Sequence, residues 1–249
     1  MRESLLDVRG LTKNFGALRA SDGIDFDVRE GETHAVIGPN GAGKTTFISQ
    51  LAGNLRPDAG RIVFAGEDIT PLPAPKRARK GLARSFQITS VYPEFSALQN
   101  VALAIQAHSG HSFRFWGDAR KDASLREPAR RVLQDVGLGS RTEVLAASLA
   151  HGEQRQLEVA MALAMKPRLL LLDEPMAGMG IDESRRMIAL LSKLKQTMTI
   201  ILVEHDMDAV FRLADRLSVL VYGRVIATDT PEKIRLNEEV RQAYLGAEG

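Results

Sequence analysis

The feature that most constrains this chain is the segment GPNGAGKTT at residues 38–46, which follows the apolar run HAVI. It matches the pattern G-x-x-x-x-G-K-[ST] completely, through Gly38, Gly43, Lys44 and Thr45. Glycines in such a loop let the backbone approach phosphate oxygens and point its N–H groups inward. The helix that follows adds its positive N-terminal end. A Gly-rich turn without a ligand is the alternative, but the strand–loop–helix context favours a phosphate-binding loop.

A second segment, LLLLDEP, places two carboxylates, Asp173 and Glu174, directly after an apolar strand. Because the carboxyl ends of parallel strands meet at one edge of a sheet, both should lie beside the phosphate loop. We expect Lys44 to reach the β- and γ-phosphates, and Thr45 and Asp173 to hold Mg²⁺. Glu174 is then placed to orient or deprotonate the attacking water. A solvated or helix-capping acidic pair is the alternative interpretation.

Two further polar residues follow short apolar runs. His205 comes after TIILVE and should emerge at the same sheet edge, where it could contact the γ-phosphate. A lone histidine at a strand end is more often a packed or solvated residue, and its position relative to the other two motifs favours function. Gln87 ends the short predicted strand LARSF, and an isolated glutamine carries little information by itself.

Composition limits the function classes. The chain has 249 residues, 44% hydrophobic and 26% charged, which is typical of a soluble globular protein. The net charge of +2 gives no argument for nucleic-acid binding. No apolar stretch is long enough to span a bilayer, so we expect any membrane role to require a partner. Zero cysteines fit a cytosolic chain. The cationic run KRARKGLAR at 76–84 is predicted to form a solvated helix face rather than a lipid or acidic-partner surface.

The order of patterns predicts an α/β fold. Alternating apolar residues near the N-terminus indicate a small antiparallel sheet, and the later, nearly continuous apolar strands indicate a parallel sheet covered on both faces. Between them, a helical insert of about 75 residues begins with a capping box at Ser96 and Gln99. We expect one domain over 1–249, with the α/β core at 1–87 and 165–249 and a helical subdomain at 88–164.

This order, together with SLAHGEQRQLEVAMAL at 148–163, resembles the nucleotide-binding subunit of an ATP-binding cassette (ABC) transporter over nearly the whole chain. The resemblance implies a P-loop NTPase fold that binds ATP and Mg²⁺. It implies that Phe15 stacks on adenine, although ordinary sheet packing is an alternative for this residue. It also implies that Gln87 links the magnesium site to the membrane subunits. The segment LAHGEQ at 149–154 matches the family signature, normally LSGGQ, which contacts the γ-phosphate of ATP held by the opposite subunit.

The motifs and the resemblance together assign three groups of residues. The nucleotide-binding residues are Phe15, Gly38, Pro39, Asn40, Gly41, Ala42, Gly43, Lys44, Thr45 and Thr46, with Ala150, His151, Gly152 and Glu153 toward the partner's nucleotide. The catalytic residues are Glu174, His205 and Gln87. The metal-binding residues are Thr45, Gln87 and Asp173.

The signature departs from the family pattern. Ala150 replaces the serine, so one hydroxyl contact to phosphate is missing, His151 replaces the first glycine and Glu153 replaces the glutamine. Gly180 stands where many relatives have Asp, in the loop that follows Glu174. These changes leave the chain's own phosphate loop intact and affect how it completes the partner's site.

Within the superfamily, the HGEQ signature variant followed by RQLEVA, the phrase VEHDM and the ending VRQAYLG resemble the Liv-type ATPases of branched-chain (hydrophobic) amino acid importers. The implied partners are membrane permease subunits, a second ATP-binding subunit that is identical or different, and indirectly a solute-binding protein, with no nucleic acid. The implied location is the cytoplasmic face of the inner membrane. A urea-import or lipopolysaccharide-export ATPase, a non-transport ABC ATPase, and a regulatory nucleotide-binding protein of low turnover are the alternatives.

Overall fold

A computed structural model describes residues 4–85, 91–109 and 122–245. The first sheet contains four antiparallel strands in the order β2-β1-β4-β5. These strands are β1 (Ser4–Phe15), β2 (Leu18–Arg29), β4 (Ala59–Phe64) and β5 (Glu67–Asp68). Leu6, Val8 and Phe26 are buried on its inner face, as the predicted alternation requires.

The second sheet has six strands in the order β10-β9-β3-β8-β7-β6. They are β3 (Thr33–Ile37), β6 (Leu82–Arg84), β7 (Leu169–Asp173), β8 (Thr199–Val203), β9 (Arg216–Val221) and β10 (Arg224–Asp229). All neighbours are parallel except β10, which is antiparallel to β9. Every residue of β3, β7 and β8 is buried, because both faces of the sheet are covered.

Helices cover the parallel sheet and form the insert. They are α1 (Lys44–Ala52), α2 (Ala74–Arg79), α3 (Ala97–Ser109), α4 (Ala123–Asp135), α5 (His151–Ala164), α6 (Ile181–Leu194), α7 (Met207–Leu213), α8 (Pro231–Leu236) and α9 (Glu238–Leu245). Within the described ranges, no helix combines the length and the apolar character needed to cross a membrane.

Strand β7 separates two hydrophobic cores. Leu170 and Leu172 pack with the helical insert, whereas Leu169 and Leu171 pack with α1 and the antiparallel sheet. The leucine run LLLL is therefore buried from both sides, which fixes the position of the carboxylates that follow it.

The predicted capping box at the start of α3 is present. Ser96 N–H donates to Gln99 Oε1 (2.8 Å) and Gln99 N–H donates to Ser96 Oγ (3.2 Å). The prediction for the cationic run 76–84 is wrong at Arg77, which is buried rather than solvated. Its guanidinium donates to the carbonyl oxygens of Gln50 and Leu51, in the last turn of α1, and to those of Thr70 and Leu72.

Candidate functional site

The phosphate loop connects β3 to α1, and close packing requires glycine at two of its positions, 38 and 43. Gly43 has φ 103° and caps α1. A Cβ atom at Gly43 would lie 2.3 Å from the carbonyl oxygen of Ala20, and one at Gly38 would lie 2.0 Å from that of Leu220. The backbone of the loop therefore packs directly against β2 and β9. Its turn is further fixed by Gly223, whose N–H donates to the carbonyl of Ala42 at 2.9 Å.

The ammonium of Lys44 is held over this loop. Its Nζ donates to the carbonyl oxygens of Gly38 (2.7 Å) and Pro39 (3.1 Å). Burial lowers the pKa of Lys44, while the charges of Glu174 and Asp173 oppose that shift. The lysine therefore lies within electrostatic reach of both carboxylates.

Asp173 is the last residue of β7, and its side chain is fully buried. One carboxylate oxygen, Oδ2, accepts a hydrogen bond from Arg84 Nη2 at 2.8 Å, whereas Oδ1 is buried without a hydrogen-bond partner among the described residues. Burial raises the pKa of Asp173, and the Arg84 charge acts against this shift. An orphaned buried carboxylate oxygen is a costly feature that a cation would relieve.

Glu174 follows in a left-handed backbone conformation, with φ 49°. Its N–H donates to the carbonyl of Val203 at 2.9 Å, so the turn is anchored to β8. His205 lies beside it, with 4.0 Å between His205 Nδ1 and Glu174 Oε1, and the imidazole is exposed. The structure therefore brings the predicted base and the predicted γ-phosphate contact together at one sheet edge.

Glu204 is a site residue that the sequence analysis did not single out. Its buried carboxylate accepts hydrogen bonds from Met176 N–H (3.0 Å) and His205 N–H (3.2 Å). It thereby fixes the loop after Glu174 against the turn that carries His205. Its place directly after β8 was the available signal, because β8 is parallel to β7 and Val203, the residue before Glu204, pairs with Asp173.

A cavity of 480 Å³ joins the predicted nucleotide-binding residues. It is lined by Phe15, Leu18, Arg19, Ala20, Asn40, Gly41, Ala42, Gly43, Lys44, Thr45, Thr46, Glu174 and Tyr222. Phe15 is 49% exposed, which argues against ordinary sheet packing of this ring. An aromatic face at one end and a phosphate loop with a carboxylate at the other suit a nucleoside triphosphate.

The donor set fits magnesium. Thr45 is an exposed residue in the first turn of α1, and Oδ1 of Asp173 has no hydrogen-bond partner among the described residues. Mg²⁺ prefers hard oxygen ligands and is usually held by one or two protein groups together with substrate phosphates. The predicted metal-binding and catalytic residue Gln87 lies outside the described residues.

The signature residues do not line this cavity. Ala150 caps α5, and Glu153 turns back onto its own chain, accepting from Ala150 N–H (3.0 Å) and Arg141 Nε (2.9 Å). His151 Nε2 lies 3.2 Å from the carbonyl oxygen of Ala177, and Gly152 N–H donates to Glu183 Oε1 at 3.2 Å. These residues form a second surface, outside the cavity, that contacts the loop after Glu174 through His151.

Comparison with known proteins gives consistent matches. The ABC transporter family matches residues 21–177, and the branched-chain amino acid ATP-binding cassette transporter family matches residues 224–249. The chain is 39% identical to the high-affinity branched-chain amino acid transport ATP-binding protein BraF of Pseudomonas aeruginosa, over 99% of each chain. It is 35% identical to LivG of Escherichia coli, an ATP-binding protein of the same kind of transport, again over 99% of each.

Solved structures resemble the whole chain. A crystal structure of the ADP conformation of an ATP-binding cassette from an ABC transporter superposes with a TM-score of 0.86 at 27% identity, covering 98% of this chain and 99% of that one. A nucleotide-free ATP-binding cassette gives a TM-score of 0.85 at 26% identity. The predicted P-loop NTPase fold, with an antiparallel β part and helical insert, is confirmed.

Proposed function

The chain belongs to the ABC transporter family as an ATP-binding and ATP-hydrolysing subunit, and we propose that it drives a membrane importer of branched-chain or other hydrophobic amino acids. The observation that carries the site assignment is the single cavity in which Phe15, the phosphate loop and Glu174 meet. The solute assignment is supported by the names of the relatives and by the match over residues 224–249.

Each residue of the cavity has a role that follows from its position. Phe15 stacks on the base, and the loop N–H groups together with Lys44 bind the phosphates. Mg²⁺, when bound, neutralises charge on the phosphate oxygens, and Thr45 and Asp173 are the residues that would hold it. Glu174 accepts a proton from the attacking water while His205, beside it, contacts the γ-phosphate.

The signature residues act on a second subunit. Two ATP-binding subunits, identical or different, pair head to tail, so that the signature segment 149–154 of each faces the phosphate loop of the other. This is supported by the placement of Ala150–Glu153 outside the chain's own cavity. The N-terminus of α5 supplies a favourable end for an anion.

The membrane subunits contact the helical insert. An apolar groove of 180 Å³ lies between α3 and α4, lined by residues that include Phe95, Leu98, Leu103 and Leu125. We assign this groove to the permease, with residue Gln87 relaying the state of the nucleotide site and a solute-binding protein acting outside the membrane. We accordingly propose that the chain works on the cytoplasmic face of the inner membrane.

Recovery of the tagged chain from gently solubilised native membranes tests this function. Mass spectrometry should identify two polytopic membrane proteins and a second ATPase. Leu103→Glu, in the groove, should lose the membrane proteins while keeping ATP binding, and Leu236→Glu, an exposed leucine outside the groove, should keep both. Recovery from the soluble fraction alone, or with nucleic-acid factors, would indicate a non-transport ABC ATPase. Urea-permease or lipopolysaccharide-export subunits would move the assignment to those systems.

A further inference from the structure

One carboxylate joins the N-termini of two helices on the signature surface. Glu183, in the first turn of α6, accepts from Gly152 N–H through Oε1 and from Gly180 N–H through Oε2, each at 3.2 Å. Gly152 belongs to the first turn of α5, and Gly180 is the N-cap residue of α6. Both bonds lower the pKa of Glu183, so it accepts them as a carboxylate.

Glycines stand beside Glu183 and His151, where a larger residue would come too close to these side chains. A Cβ atom at Gly152 would lie 2.8 Å from Glu183 Oε1, and Gly152 has no positive φ, so the carboxylate rather than the backbone requires glycine here. One residue earlier, His151 Nε2 donates to the carbonyl oxygen of Ala177 at 3.2 Å. Gly178 lies beneath this ring, where a Cβ atom would come within 3.3 Å of His151 Nε2.

The loop that these groups hold begins at the catalytic residue. Residues 174–180 run from Glu174 to the N-cap of α6, and Glu204 fixes the loop through Met176 N–H. Gly180 has no side chain that could hold the loop. Glu183 instead holds the end of the loop by accepting a hydrogen bond from the Gly180 N–H. A displacement of Glu174 or Glu204 at the nucleotide site would therefore move the loop, and with it the Gly180 N–H that Glu183 accepts from and the Ala177 carbonyl that His151 donates to.

We propose that Glu183 and His151 are positioning residues that couple the signature turn, residues 149–153, to the chain's own nucleotide site through loop 174–180. This inference rests on the proposed function, in which that turn completes the partner's site. ATP binding on one subunit thereby orders the surface that the same subunit presents to its partner. Glu183 is only half-buried, so packing does not impose its two hydrogen bonds.

Hydrogen–deuterium exchange of the full chain, kept monomeric and checked by light scattering, tests the coupling. The probe is Mg²⁺ with a non-hydrolysable ATP analogue. In the wild type, the analogue should slow exchange in residues 38–46 and, through the link, slow it about fivefold in residues 149–153, the effect of roughly one hydrogen bond on local opening. In Glu183→Ala and His151→Ala, slowing at 38–46 should persist while that at 149–153 falls below about twofold.

Matched variants separate coupling from general loosening. Asp182→Ala removes the same charge from the same helical turn, where Arg185 is the only ion-pair partner of Asp182 among the described residues, and should behave like the wild type. Glu183→Gln keeps one acceptor oxygen and should retain part of the slowing at 149–153. Two results would overturn the coupling. One is a wild type in which the analogue slows exchange at 38–46 but not at 149–153. The other is slowing at 149–153 that is unchanged in both alanine variants. Absence of slowing at 38–46 would instead count against the proposed function.

Discussion

His34 is a buried histidine in a closed polar network on β3. Its Nδ1 donates to Glu32 Oε1 (2.8 Å), and its Nε2 accepts from Ser218 Oγ (2.8 Å), an assignment that follows from the carboxylate partner. Arg216 reaches both Glu32 and Asp27, and therefore joins the parallel sheet to the antiparallel one. The network satisfies every ring nitrogen of His34 in a place where water has no access.

This network predicts a loss of stability in mild acid. Burial lowers the pKa of His34, and its hydrogen bond to Glu32 opposes that shift. The unfolded chain takes up a proton near pH 6.5 and the folded chain does not, so the stabilisation is complete above pH 6.5 and decreases below it. Urea unfolding between pH 7.5 and 5.5 should show this decrease, up to about 1.4 kcal/mol per pH unit. His34→Gln should flatten the decrease and His108→Gln should not; equal slopes in both variants would refute the assignment.

Several residues of the proposed site were predictable because each belongs to a local pattern. Lys44, Asp173 and Glu174 follow from a loop motif and from an apolar strand that ends in carboxylates. Arg84 and Glu183 were not predictable. Their partners lie 89 and 31 residues away in sequence, and no spacing rule connects a guanidinium or carboxylate to a group that only the tertiary fold brings near.

Helix α1, whose N-terminus lies at the proposed phosphate site, is held at its other end by Arg77. The guanidinium donates to the carbonyl oxygens of Gln50 and Leu51 at 2.7 and 2.8 Å, and its positive charge complements the negative end of the helix. Burial lowers the pKa of Arg77 to about 10, and the group remains charged at neutral pH. A sequence pattern cannot distinguish this arginine from the exposed Arg79 two residues later, because both belong to one short cationic helix.

Removal of Arg77 should destabilise the fold by removing four hydrogen bonds to backbone carbonyl oxygens, two of them buried. Arg77→Met should lower the free energy of unfolding by about 2–4 kcal/mol. Arg79→Met, the exposed control in the same helix, should change it by less than about 0.5 kcal/mol. Urea unfolding at pH 7.5 measures both. A result in which the two variants unfold alike would show that the four hydrogen bonds contribute nothing net.

The two sheets and their layers were predictable from the sequence, but the order of the strands within each sheet was not. Period-two alternation and fully apolar strands indicated one antiparallel and one parallel sheet, and both are present. The strand order and the antiparallel β10 at the edge were not predicted, because pairing between strands such as β3 and β9 depends on contacts more than 180 residues apart. The continuous apolar run LLLL indicated burial on both faces of β7, but it could not show which elements form the core on each side.

ATP hydrolysis by Glu174→Gln, with the wild type and Glu94→Gln beside it, tests the central claim most directly. Glutamine keeps the shape of Glu174 but cannot accept the water's proton, so turnover should fall by at least about 100-fold. ATP binding, which depends on Phe15 and the phosphate loop, should stay within about twofold. Glu94 is exposed and outside the cavity, and its variant should match the wild type, with the chain alone or with its partners. Glu174→Gln retaining more than roughly a tenth of wild-type turnover would contradict the account.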